Sequence, residues 1–79
     1  MYIVYVIKSF EGLTYIGQTN DINRRLKEHN KGLSRWTKRG ADWELVYLEE
    51  YDNRQDAVQR EKYLKSGAGR EWLKRELSS

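Results

Sequence analysis

The order of patterned segments predicts an α+β fold, a small three-stranded antiparallel sheet flanked by helices in the order ββαβαα. Three observations carry this. Two β-branched and aromatic runs, Tyr2 to Ile7 and Leu13 to Gln18, flank a glycine-containing turn, and a third run, Glu44 to Tyr51, follows later. The segments between and after them open on capping residues and close on glycine. The chain of 79 residues has no Pro and no low-complexity linker, so one domain over residues 1–79 is expected.

Each element has its own warrant. Tyr2 to Ile7 is apolar on both faces, which predicts a central strand. Phe10-Glu11-Gly12 supplies a turn in which Gly12 can take a positive φ, so Leu13 to Gln18 reads as the returning strand of a hairpin. Thr19-Asn20-Asp21 offers N-caps for a helix over Ile22 to Asn30 that ends near Gly32. Lys31 to Asp42 has no clear period and is expected to be a loop. Asn53 can cap a second helix running to Ser66, with Gly67 as its stop signal and a short last helix from Arg70 to Leu77.

Composition excludes several classes of function. At this size folding removes only about 60% of the unfolded surface from water, and three Trp and six Tyr suit so compact a core. There is no Cys, which excludes a disulfide scaffold or thiolate metal site, and the single His excludes a multi-histidine zinc site. No apolar run approaches the ~20 residues of a membrane span, and the N-terminus lacks the order of a signal peptide. A soluble, cytoplasmic domain is the expectation.

Charge is unevenly spread. Between Arg24 and Arg39 seven basic residues face Glu28 alone, whereas Gly40 to Asp56 holds six acidic residues and one basic. The basic block contains Lys31, Arg35, Lys38 and Arg39 around Trp36, which suits a phosphate-binding surface with a stacking side chain. A solvated helix face followed by a basic loop would give the same pattern.

Three features break the local pattern. Glu61 falls within the apolar stripe that Ala57, Val58 and Leu64 define on the second helix, about 40° from Ala57 and about 60° from Val58. It either meets a cation at a site or leans outward to pair with Lys65 at i+4. On the first helix, Arg25 and His29 lie at i, i+4 beside the Ile22–Leu26 line. They are either solvated and structural, or a cation and an imidazole delivered to one point. Tyr5 and Tyr15 share a sheet face if the hairpin loop is odd in length, as Gly12 permits, and otherwise face apart. Strand tyrosines are commonly packing residues. Gly17 marks a bulge or a close backbone approach.

Together, Ile3-Val4-Tyr5, Tyr15-Ile16-Gly17, Arg24-Arg25-Leu26-Lys27-Glu28-His29-Asn30 and Arg60-Glu61-Lys62 resemble the GIY-YIG endonuclease domain over nearly the whole chain. The resemblance is to small stand-alone bacterial members, of which Glu61-Lys62-Tyr63-Leu64-Lys65-Ser66-Gly67 is also typical. More distantly it extends to the N-terminal catalytic module of the bacterial excision-repair endonuclease, which implies a link to DNA repair. Residue by residue it implies catalytic roles for Tyr5, Tyr15, Arg25 and His29, a single divalent metal on Glu61, and a motif glycine at Gly17. The first motif element lacks its glycine, and the last helix has Lys74, Arg75 and Glu76 where members often carry an Asn.

What the resemblance implies is an endonuclease that hydrolyses phosphodiester bonds in DNA with one Mg²⁺ or Mn²⁺, structure-directed or weakly sequence-selective. A partner protein could supply specificity. Glu61 would hold the ion, Arg25 would offer a planar fork to the phosphate oxygens, and a phenol would orient or deprotonate water. A phenol of ordinary pKa near 10 is a poor base unless cations lower it, with Arg25 and the metal as the available ones; His29 could take the phenolic proton. Either tyrosine could be the base. Lys31, Arg35, Trp36, Lys38 and Arg39 would track the nucleic-acid backbone. A nucleic-acid-binding module with the same fold and little catalysis would use the basic block equally well, although a carboxylate beside phosphate does not help a pure binder. A protein-interaction domain using Trp36, Trp43 and Trp72 is a further alternative.

Overall fold

A computed structural model describes residues 1–32 and 42–77. Among them the elements are β1 (Tyr2–Lys8), β2 (Thr14–Thr19), α1 (Ile22–Asn30), β3 (Glu44–Tyr51), α2 (Arg54–Lys65) and α3 (Gly67–Leu77). The three strands form one antiparallel sheet in the order β2-β1-β3, so the doubly apolar β1 is central as expected. The expected ββαβαα order holds throughout.

Alternation along β1 divides the core in two. Val4 and Val6 face one side with Ile16, and there Ala57 and Leu64 of α2 and Leu73 of α3 cover them. Tyr5 and Ile7 face the other side with Trp43, against which Ile22 and Leu26 of α1 pack. The molecule is therefore layered, with α1 on one face of the sheet and α2 and α3 on the other. A bulge in β3 adjusts this plan: Val6 pairs with Tyr47 but Ile7 with Leu45, so Val46 is the extra residue. Val46 and Tyr47, although adjacent, both pack on the α2–α3 side while Leu45 joins the α1 side.

Capping follows the expected residues. The Asp21 carboxylate accepts from the Arg24 N–H at 3.1 Å, and the Asn53 side-chain oxygen accepts from the Asp56 N–H at 2.9 Å. Gly32, at φ +73°, closes α1 by donating its N–H to the His29 carbonyl. Gly67 departs from expectation, because it opens α3 instead of stopping α2. The break is Ser66, whose backbone is extended and whose hydroxyl oxygen accepts from the Gly69 N–H at 3.2 Å. One side chain thus caps α3 three residues before the expected start at Arg70. The two helices meet backbone to backbone, since a Cβ on Gly69 would lie 1.9 Å from the Tyr63 carbonyl oxygen.

A polar cluster invisible in the residue pattern ties α2 to β3. Both Glu49 oxygens accept from Arg60, at 2.9 and 3.1 Å, and also from the Tyr47 and Tyr51 hydroxyls. Burial works against the Glu49 charge, but these donors outweigh it and hold the carboxyl below its ordinary range. The Arg60 guanidinium also lies 5.0 Å from the Tyr63 ring centre and 4.8 Å from that of Trp72. Trp43 is buried at 3% exposure, its backbone clamped at both N–H and carbonyl by the Asn30 amide. Two of the three tryptophans offered for partner contacts thus have work inside the fold, and Trp36 lies outside the described residues. No helix among the described residues is long and apolar enough to cross a membrane.

Candidate active site

The hairpin sets the position of the two phenols. Lys8 pairs with Thr14, leaving a five-residue loop of odd length, so Tyr5 and Tyr15 share the α1 face. They are diagonal neighbours, because Tyr5 pairs with Gly17 and Ile7 with Tyr15. Their ring centres are 6.2 Å apart. The register through Gly17 is unbroken, so this glycine marks a close approach and not a bulge. A Cβ there would sit 2.7 Å from the Tyr5 hydroxyl oxygen and 2.9 Å from a Tyr15 ring carbon. The missing side chain is the space in which the two phenols lie.

Helix α1 brings the next two groups. With Ile22 and Leu26 against the sheet, the i, i+4 spacing carries Arg25 and His29 along one edge to the same phenol. His29 Nε2 is 2.8 Å from the Tyr5 hydroxyl, and Arg25 donates its Nε–H to that hydroxyl at 3.4 Å. The imidazole also packs on Tyr15, at 4.9 Å between ring centres. Tyr5 and His29 are each 1% exposed, whereas Arg25 and Tyr15 are half-buried and bring the cluster to the solvent.

Burial, then the Arg25 charge, lowers the His29 pKa from 6.5 to about 4, so the imidazole is neutral at pH 7. Arg25 can only donate to the Tyr5 oxygen, and in the tautomer that carries its hydrogen on Nδ1 the neutral imidazole accepts the phenolic proton at Nε2. Burial raises Tyr5 to about 12 even though the Arg25 hydrogen bond pulls the other way; the nearby Tyr15 and Glu61 charges add to the rise. Arg25 therefore pulls Tyr5 in the expected direction, toward a more acidic phenol, but desolvation outweighs it. Burial also opposes the Arg25 charge, but hydrogen bonds to Tyr5, Glu28 and Tyr15 more than offset it and hold the guanidinium above its ordinary value. Glu28, which the residue pattern did not single out, fixes one arm of the fork at 3.1 Å from Nη1. Its i+3 spacing from Arg25 was the available signal.

Glu61 reaches the neighbourhood from α2. Its side chain is 20% exposed and accepts from Lys65 at 2.7 Å, so the expected i, i+4 pair forms while the carboxylate still acts on Tyr5. Among the described residues no three His, Cys, Asp or Glu side chains cluster as a ready-made cage. A single carboxylate suits Mg²⁺ or Mn²⁺, which keep several waters and share ligands with substrate phosphate, so the donor chemistry fits such an ion. The structure thus brings together Tyr5, Tyr15, Gly17, Arg25 and His29, with Glu61 close by. Lys31 is exposed at the end of α1. Arg35, Trp36, Lys38 and Arg39 lie outside the described residues.

The excluded proton on His29 has a consequence for stability. Between pH 6.5 and about 4 the unfolded chain binds a proton that the folded chain refuses, so stability falls as pH falls through this window. The full loss is about 3 kcal/mol, since each tenfold drop in proton affinity is worth about 1.4 kcal/mol. Glu49, with its folded pKa depressed, adds a loss in the same direction as pH falls below its ordinary 4.5. Urea titrations at pH 7 and pH 5 should show the first loss, and His29→Gln should flatten it. An unchanged pH slope in His29→Gln would show that this imidazole is not its source.

Comparison with known proteins identifies the family. The chain is 36% identical over 66 residues to a UPF0213 protein of Clostridium perfringens, covering 82% of this chain and 71% of the relative. It is 35% identical to a UPF0213 protein of Staphylococcus aureus, covering 82% and 80%. The solution NMR structure of a UPF0213 protein from Bacillus halodurans superposes with a TM-score of 0.56 at 28% identity, covering 92% of this chain and 82% of that one. Residues 1–74 match the family model described as the GIY-YIG catalytic domain, a family whose members are generally nucleases. The diagonal phenols over Gly17 and the arginine that reaches them from α1 belong to a chain of the GIY-YIG family.

Proposed function

We propose that this protein is a divalent-metal-dependent endonuclease that hydrolyses phosphodiester bonds in DNA. The observation that carries the proposal is the Tyr5 hydroxyl, held between an arginine N–H and a neutral imidazole nitrogen. A buried phenol of raised pKa cannot wait as phenolate at neutral pH. It can take a proton from attacking water as it yields its own to His29 Nε2, so no free phenolate forms. Burial and Arg25 oppose this transfer in the free protein, and the negative charge of a bound phosphate favours it. The water oxygen then bonds to phosphorus, and the bond to the 3′-oxygen breaks as that oxygen takes a proton from solvent water. The imidazolium later returns its proton to solvent, so the protons balance. Arg25, always charged and half-buried, faces the non-bridging oxygens as their negative charge grows. Tyr15 flanks the same imidazole and orients water or phosphate with its hydroxyl. Glu61 would hold the one Mg²⁺ or Mn²⁺, exchanging its Lys65 contact for it; when bound, that ion supplies Lewis-acid help to the phosphate and the leaving oxygen.

The test is a panel of labelled branched, single-stranded and duplex DNA, with RNA counterparts, incubated with Mn²⁺, Mg²⁺ or EDTA. Cleavage of DNA that needs metal, and falls by about 10²-fold or more in Glu61→Gln, is the expected result. Retention of nucleic acid in EDTA with no cleavage of any substrate at any metal concentration would identify a binding module instead.

A further inference from the structure

A groove of about 860 Å³ runs between the β1–β2 hairpin and α3, and Tyr15 of the candidate active site forms part of its wall. Leu13, Ile16, Val46, Leu73 and Leu77 give it an apolar floor. Its charged lining is of one sign: Lys8, Lys65, Arg70 and Lys74, with no acidic residue among the described residues that line it. Lys65 is also the partner of Glu61, so the groove meets the site at two places, a phenol on β2 and the metal carboxylate's neighbour on α2. The Ser66 cap shapes the far wall. Arg70 and Lys74 stand one turn apart on α3, along the same groove.

We propose that this groove holds an unpaired single-stranded arm of the nucleic-acid substrate, with phosphates on the basic rim and bases against the apolar floor. This rests on the nuclease function proposed above, since the arm is a continuation of the strand at Tyr15. The charge complementarity fits phosphate, and the floor selects for a single strand. A duplex keeps its bases stacked inside and presents backbone, so an apolar floor gains nothing from it. An unpaired arm has exposed base faces, and contact through them is indifferent to sequence. The substrate class is therefore a nucleic acid with a single-stranded segment next to the cleaved bond, such as a flap or a branched end.

The experiment measures binding by fluorescence anisotropy in EDTA, with a short labelled oligothymidylate and a duplex of equal length, between about 50 and 200 mM salt. The oligothymidylate is expected to bind the parent more tightly than the duplex does. Arg70→Glu/Lys74→Glu should weaken its binding by at least tenfold and reduce the slope of log affinity against log salt by about 1.4, two single-strand phosphate contacts. Arg54→Glu/Lys62→Glu, which changes the charge equally at exposed positions outside the groove, should leave binding near that of the parent. Leu77→Ser, at a partly exposed floor position, should weaken the oligothymidylate without changing the salt slope. Equal loss in the two charge variants, tighter binding of duplex, or a parent dimer that Arg70→Glu/Lys74→Glu dissociates while binding persists would each overturn the proposal. Binding in EDTA is read apart from cleavage. Groove-dependent binding by a protein that cleaves nothing removes the nuclease function alone; cleavage by a protein whose groove variants still bind removes the groove alone.

Discussion

Arg25→Ala is expected to lower the DNA cleavage rate by about 10²–10³-fold, the usual cost of removing one donor aimed at developing transition-state charge. Two losses combine in it. The phosphate oxygens lose a planar cation, and the Tyr5 oxygen loses a donated hydrogen bond. With that contact gone, burial and the neighbouring Tyr15 and Glu61 charges act on Tyr5 unopposed, and the phenol becomes a still weaker acid. Arg25→Lys should recover only a small part, because an ammonium restores charge without the fork. Stability should change little, since among the described residues the ion pair lost joins Glu28, both side chains are about one-third exposed, and the hydrogen bond to Tyr5 is long at 3.4 Å. Single-turnover cleavage beside a urea titration of each variant checks both halves. A variant that cleaves within a few fold of the parent would remove Arg25 from the chemistry.

Gly69→Ala is expected to be the most damaging small substitution, destabilising by about 2–3 kcal/mol. The new methyl would stand 1.9 Å from the Tyr63 carbonyl oxygen and 2.6 Å from the Leu64 Cα, and neither is a flexible side-chain end. Relief requires α3 to move off α2, which uncovers Leu73 and loosens Trp72 from Tyr47 and Arg60. Gly67→Ala is the internal comparison, because nothing lies within 4 Å of its Cβ position. That change should be neutral or mildly stabilising, as alanine is the better helix former. Equal midpoints for the two variants in urea would show that the helices do not meet as closely as described.

What was legible in the sequence was local. A β-branched run marks β1, Asp21 and Asn53 mark helix starts, and the i, i+4 spacing of Arg25 and His29 marks a shared edge. Loop parity was enough to bring Tyr5 and Tyr15 to one face. Gly67 misled because glycine after a helix commonly closes it, whereas here a serine hydroxyl ends one helix and caps the next with no spacer. The bulge at Val46 sits in an unbroken apolar run, so alternation gave no sign of it. The Glu49–Arg60 contact joins residues eleven apart on different elements, and no period connects them. The shifts of Tyr5 and His29 come from burial between sheet and helix, which the pattern alone does not supply.

The strand order has a consequence for how the molecule fails. Tyr5 stands on a strand bonded along both edges, while Tyr15 and Gly17 stand on one bonded along a single edge. A margin of the sheet opens at lower free energy than its middle. Of the two phenols, the Tyr15 arm is therefore expected to loosen at lower free energy on warming than the central strand that carries Tyr5 and Ile7. For the function proposed above, loss of cleavage is expected to precede melting and, because the free arm can zip back onto an intact template, to reverse on cooling.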